Sequence, residues 1–170
     1  FHACQFDPYT GWLWQVYGDG IGGIEYSPDF GNTWVVVDNL LENKGTPMTF
    51  TKDAVIVASD YYSGAAQLRI YNKRTGQYSR LAPQPEKYMN HVYGIHLDTQ
   101  GYLWWFGNRE EMVGKVGTFH ISPDFGATHI LLEDIGNLVI PYPLRFVQAG
   151  KNFYFANQKI TRPVIKKITR

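Results

Sequence analysis

The chain has 170 residues, a formal net charge of +1, 18% charged and 16% aromatic residues. That balance excludes a disordered polyelectrolyte, and so small a charge supplies no field to recruit nucleic acid or an anionic membrane surface. One cysteine, Cys4, excludes an internal disulfide framework, and no apolar run approaches the roughly 18 to 20 residues of a spanning helix.

Taken in chain order, the sequence predicts short strands and no helix. Residues 12–17 and 33–37 are rich in aromatic and β-branched side chains, as are 54–58, 67–71, 102–106, 118–121, 129–132 and 153–156. Turn formers separate them: Asp7-Pro8, Gly18-Asp19-Gly20, Pro28-Asp29, Thr75-Gly76, Pro123-Asp124 and Gly150. Strands at this spacing predict an all-β sandwich, barrel or propeller. Cys4 alternates with polar neighbours in a strand-like run, which predicts a buried, inert thiol.

An internal repeat narrows the choice. Ser27-Pro28-Asp29-Phe30-Gly31-Asn32-Thr33-Trp34 returns 95 residues later as Ser122-Pro123-Asp124-Phe125-Gly126-Ala127-Thr128-His129, with six of eight positions identical. A worn copy, Tyr71-Asn72-Lys73-Arg74-Thr75-Gly76-Gln77-Tyr78, lies between them. A period of roughly 45 to 50 residues is that of a four-stranded propeller blade. Upstream turns repeat too: 6–14 matches 97–104, with shorter versions at 50–55 and 147–153. The second strands, 12–17, 55–58, 102–106 and 153–156, read as apolar on both faces, which predicts sandwiching between neighbouring sheets.

The two octapeptides resemble the Asp box, Ser-x-Asp-x-Gly-x-Thr-Trp, of sialidases and related propellers. Ser27, Asp29, Gly31, Thr33 and Trp34 match every defined position; Ser122, Asp124, Gly126 and Thr128 match, with His129 in the place of the Trp. The resemblance implies an all-β partial β-propeller of four-stranded antiparallel blades. About three and a half blades lie in this chain, of a ring of roughly six or seven. The blades are placed at 1–41, 47–83 and 91–135, with an incomplete one at 144–170. Locally, each Asp accepts hydrogen bonds from the turn's own amides, each Gly supplies positive φ, and the hydroxyls satisfy further turn groups. Trp34 is expected to pack against the next repeat, and the hairpin carrying His129 to be looser.

In that family the turn is structural and lies away from the ligand face. The expected site therefore sits in the loops at the opposite end. Its candidates are Asp19, Asp60, Tyr61, Tyr62, Arg109, Glu110, Tyr142 and Arg145. A retaining sialidase needs converging arginines, a Glu-activated Tyr nucleophile and a carboxylic acid. No three-arginine set is evident, and no catalytic residue is assigned. Glu111 sits beside Glu110 in what reads as a solvated loop. Residues 18–23 lack the alternating acids of a calcium loop and the Lys-Ser/Thr end of a phosphate loop. The histidines 2, 91, 96, 120 and 129 lack zinc-ligand spacing. Trp104 and Trp105 are expected in the core.

The reading at this point is a non-catalytic recognition propeller that binds glycan or protein, extracellular, on a cell surface or on a virion. A fragment of a sialidase-like hydrolase and an assembly propeller with a protein partner are the alternatives. No cofactor, metal, nucleic acid or membrane span is expected. An open arc should expose an apolar blade face at each end. The rest of the ring is expected from a longer chain, since Phe1 is not a start residue, or from a second subunit.

Overall fold

A computed structural model describes residues 2–17, 22–38, 45–59, 68–80, 91–108, 117–125, 128, 130–136, 145–149, 152–156 and 166–169. Among the described residues there is no helix. The first sheet holds β1 (Ala3–Phe6), β2 (Leu13–Tyr17), β3 (Gly23–Ser27) and β4 (Val35–Asp38). The second holds β5 (Gly45–Phe50), β6 (Ala54–Ser59), β7 (Leu68–Asn72) and β8 (Tyr78–Arg80). The third holds β9 (His91–Leu97), β10 (Leu103–Asn108), β11 (Gly117–Ser122) and β12 (Ile130–Gly136). A fourth holds β13 (Arg145–Ala149), β14 (Asn152–Ala156) and β15 (Lys166–Thr169).

Every sheet is an antiparallel meander in chain order. Short local hairpins allow this, because antiparallel neighbours need only a tight turn. Successive sheets meet through their first strands: β1 lies beside β5, β5 beside β9, and β9 beside β13.

Side-chain alternation then fixes the cores. Trp14, Val16 and Ile24 leave the first sheet to meet Met48, Val55 and Val57 of the second. On its other face the second sheet sends Ile56, Ala58 and Leu68 against Val92, Leu103 and Trp105 of the third. The strand β6 is thus buried on both faces, as is β10 over Leu103, Trp104 and Trp105.

The strand β2 departs from that pattern. Trp14 and Val16 are buried, but Leu13, Gln15 and Tyr17 alternate with them on a face that, among the described residues, no other sheet covers. Cys4 pairs with Gln15 and stands on the same face, so its thiol is exposed rather than buried. The expectation failed because strand alternation says which residues share a face, not which face is covered. Nor is that free face simply apolar: Phe6 is exposed there, while Gln15, Tyr17 and Glu25 form a polar cluster beside it.

Candidate functional site

The two repeated turns close β3 onto β4 and β11 onto β12. In the first, Asp29 Oδ1 accepts from the Thr33 amide at 2.8 Å and Oδ2 from the Thr33 hydroxyl at 2.7 Å. Ser27 Oγ donates to Asp29 Oδ1 at 2.8 Å and accepts from the Gly31 amide at 2.6 Å. The second turn repeats this with Ser122, Asp124 and Thr128 at 2.7 to 2.8 Å. Donors aimed at a carboxylate favour its ionised form. Asp29 is accordingly held below the usual carboxylate range, chiefly by the Thr33 hydroxyl and amide, and Asp124 chiefly by the Thr128 amide and hydroxyl.

Gly31 has φ 93°, and the residue before it is also left-handed: Phe30 at 59° and its counterpart Phe125 at 56°. A phenylalanine there is strained, and nothing in the sequence marks it. Trp34 lies over its own turn, with Cζ2 3.7 Å from where a β-carbon on Gly31 would stand. Gly126 and His129 lie outside the described residues.

The worn copy folds differently. Asn72 Oδ1 accepts the Arg74 and Thr75 amides at 2.9 and 3.1 Å, and Gly76 takes φ 68°. Val55 pairs with Tyr71 where Leu13 pairs with Ser27, so the capping side chain sits one residue earlier than Asp29 does.

The hairpins joining first to second strands lie at the same end. Asp7 accepts from the Tyr9 amide at 2.9 Å and the Thr10 hydroxyl at 2.7 Å. Asp98 accepts from the Gln100 and Tyr102 amides at 2.8 and 2.9 Å and from Trp104 Nε1 at 2.9 Å. Lys73 Nζ crosses from the second sheet to Asp7 Oδ2 at 2.8 Å and also donates to the Thr51 carbonyl at 2.6 Å. Both charged side chains are buried. One ammonium therefore ties three turns of two sheets. Sequence reasoning missed it, because the partners are 66 residues apart.

The opposite end of each sheet carries the loop from second to third strand. These loops run from Tyr17 to Gly23, Ser59 to Leu68, Asn108 to Gly117 and Ala156 to Lys166. Asp19, Asp60, Tyr61, Tyr62, Arg109, Glu110 and Tyr142 lie outside the described residues. Arg145 opens β13 and its backbone pairs with Ala156, which places it at this loop end. Convergence of Arg109 and Arg145 also lies outside the described residues.

One described polar cluster borders this end. Gln15 Nε2 donates to Tyr17 Oη at 2.6 Å and to Glu25 Oε1, and the Tyr17 hydroxyl donates to the same Oε1. Burial first, and then the hydrogen bond and charge of Glu25, push the Tyr17 phenol up to about 12. Tyr17 is thus protonated and held as a hydrogen-bond donor to Glu25. Among the described residues no group of three or more His, Cys, Asp or Glu is placed to hold a metal. None of the described segments is a helix long and apolar enough to cross a membrane.

No protein-family model matches the chain, and no curated protein matches it closely enough to count as a relative.

Proposed function

We propose that the chain is part of an Asp-box β-propeller whose role is recognition: it binds a glycan or a protein surface with the loops opposite the Ser-Pro-Asp-Phe-Gly turns. The observation that carries the reading is the order of the sheets. Meanders that follow one another with first strands side by side, and equivalent corner turns on the first and third, are what radial blades require. That arrangement gathers every second-to-third-strand loop at one end, and such loops on a rigid scaffold are where binding residues concentrate. In sequence they hold Asp60-Tyr61-Tyr62 and Arg109-Glu110, groups suited to stacking on and hydrogen-bonding a sugar or a polar peptide.

A sialidase-like hydrolase needs an activated Tyr–Glu pair. Among the described residues Tyr17 donates to Glu25, the hydrogen bond that such a pair makes, so the hydrolase stays as the alternative reading.

The test is a glycan array probed with the chain and with Tyr61→Ala and Arg109→Ala variants. Binding that disappears in both variants supports glycan recognition. A silent array, with a specific protein partner recovered that fails to bind the same variants, moves the role to protein assembly. Binding unchanged in both variants overturns the placement of the site.

A further inference from the structure

The seam between the first two sheets carries a half-exposed run of aromatic rings at its corner end. The third sheet builds the same hairpins and shows what is different here. Leu13 pairs with Ser27 as Leu103 pairs with Ser122, so Trp14, paired with Tyr26, takes the position of Trp104, paired with Ile121. The Asp7 amide donates to the Trp12 carbonyl and the Asp98 amide to the Tyr102 carbonyl, both at 2.9 Å.

The two indoles are served differently. Trp104 Nε1 donates to Asp98 Oδ2 at 2.9 Å. Asp7 Oδ2 is instead taken by Thr10 and Lys73. Trp14 Nε1, fully buried, has no hydrogen-bond partner among the described residues. A buried donor in that state is costly and is ordinarily met by an acceptor from outside the chain.

The rings around it form a plate with a polar rim. Trp12 stacks on Tyr26 with ring centroids 4.5 Å apart and planes 7° from parallel. Tyr26 lies against Trp14 at 4.9 Å, and Trp14 meets Tyr71 of the second sheet at 5.4 Å. Trp12, Tyr26 and Tyr71 stay half-buried although all three pack on the core between the sheets. Among the described residues, Trp12 Nε1 and the Tyr26 and Tyr71 hydroxyls make no hydrogen bond. Burial, and after it the Tyr26 phenol, push the Tyr71 phenol up, so it stays a donor. A position that only fills a core needs no hydroxyl, and Ile121 serves at the counterpart of Tyr26.

Charge narrows what can bind. Lys73 is spent on Asp7, on the Thr51 carbonyl and over the Tyr9 ring, and Arg74 faces Asp53 at 3.3 Å. Both cations of the β7–β8 hairpin therefore have carboxylate partners, and neither is left for an anion. Flat rings with donors at their edge and balanced charge suit the C–H face and hydroxyls of a neutral sugar ring.

We propose that the corner end of the seam between the first and second sheets is a second binding site, which takes a neutral pyranose ring stacked on Trp12 and hydrogen-bonded by Tyr26 and Tyr71. It lies at the opposite end of the sheets from the loops assigned to recognition above and does not depend on them.

Saturation-transfer NMR with methyl β-D-glucoside, methyl β-D-galactoside and methyl α-D-mannoside tests it, with tetramethylammonium as the cationic control. The expected result is transfer to the ring protons of at least one glycoside, with a Kd on the order of millimolar. Trp12→Ala should weaken binding about tenfold, and Tyr26→Phe and Tyr71→Phe about fivefold each. Tyr61→Ala, in the loops at the other end, should leave it unchanged. The phenylalanine variants keep the rings and read the hydroxyls even where Trp12→Ala fails to fold, which near-UV circular dichroism shows. Transfer to none of the glycosides overturns the site, as does binding that survives in Trp12→Ala and both phenylalanine variants. Binding lost in Tyr61→Ala alone belongs to the loop end and overturns the seam. Transfer to tetramethylammonium alone makes the seam a cation site and overturns the neutral sugar.

Discussion

The first and third sheets share a corner turn down to the left-handed phenylalanine, yet they differ in the face each turns toward lower residue numbers. The third sheet fills its positions with Leu103, Trp105 and His120 and buries them beneath the second sheet. The first sheet fills the same positions with Leu13, Gln15 and Glu25 and leaves them half-exposed. The corner turn is a local device, complete within seven residues, and indifferent to what packs on the sheet. The face is a tertiary property, set by whether a neighbour is there to desolvate it.

The comparison breaks most readily at Trp105. Trp105→Ala removes a fully buried ring from between two sheets and should cost about 3 to 5 kcal/mol in urea denaturation. Gln15→Ala, at the equivalent place in the first sheet, should change stability by no more than about 0.5 kcal/mol. Equal losses would mean that the first sheet's face is covered too.

Acid sharpens the corner turns. Asp29 and Asp124 both have depressed carboxyl pKa values. Their stabilisation is present above the unfolded carboxyl pKa of about 4 and is lost as pH falls through the lower folded value. Asp29→Asn should lower the melting temperature at neutral pH and flatten the acid limb of the stability curve, and Asp124→Asn should do the same. A stability curve as steep in acid for both variants as for the wild type would show that these hydrogen bonds contribute nothing.

The smallest effect separates the two phenylalanines. Phe30→Gly relieves the left-handed backbone at an exposed tip and should stabilise by about 0.5 kcal/mol after the unfolded-state entropy of glycine is counted. Phe125→Gly gains the same relief but gives up the packing of a ring that is mostly covered, and should be net destabilising by about 0.5 to 1 kcal/mol. Effects of the same sign would remove the distinction drawn between the two corners.

Much of the fold was legible because its devices are local. The doubled octapeptide pointed to equivalent corners, and strand composition pointed to antiparallel sheets without helix. Trp104 and Trp105 read as core because adjacent bulky residues on one strand can both be buried only between two neighbours. What was not legible depends on distance or on backbone conformation. Lys73 meets Asp7 only once two sheets stand side by side. Phe30 and Phe125 carry no sign of their positive φ, because that region ordinarily belongs to glycine or asparagine. The worn repeat hid a one-residue shift of its capping side chain to Asn72. Cys4 was placed on the wrong side because alternation alone does not say which face of an end sheet is covered. The loop residues named from sequence, Asp60 and Tyr61 among them, lie outside the described residues.

The most direct measurement is a double-mutant cycle across the junction of the first two sheets, with Asp7→Asn, Lys73→Met and the pair compared in urea denaturation. Face-to-face sheets with their corners at one end require a coupling energy above about 1 kcal/mol between residues 66 apart in sequence. Losses that simply add would contradict the stacking on which the proposed recognition end depends.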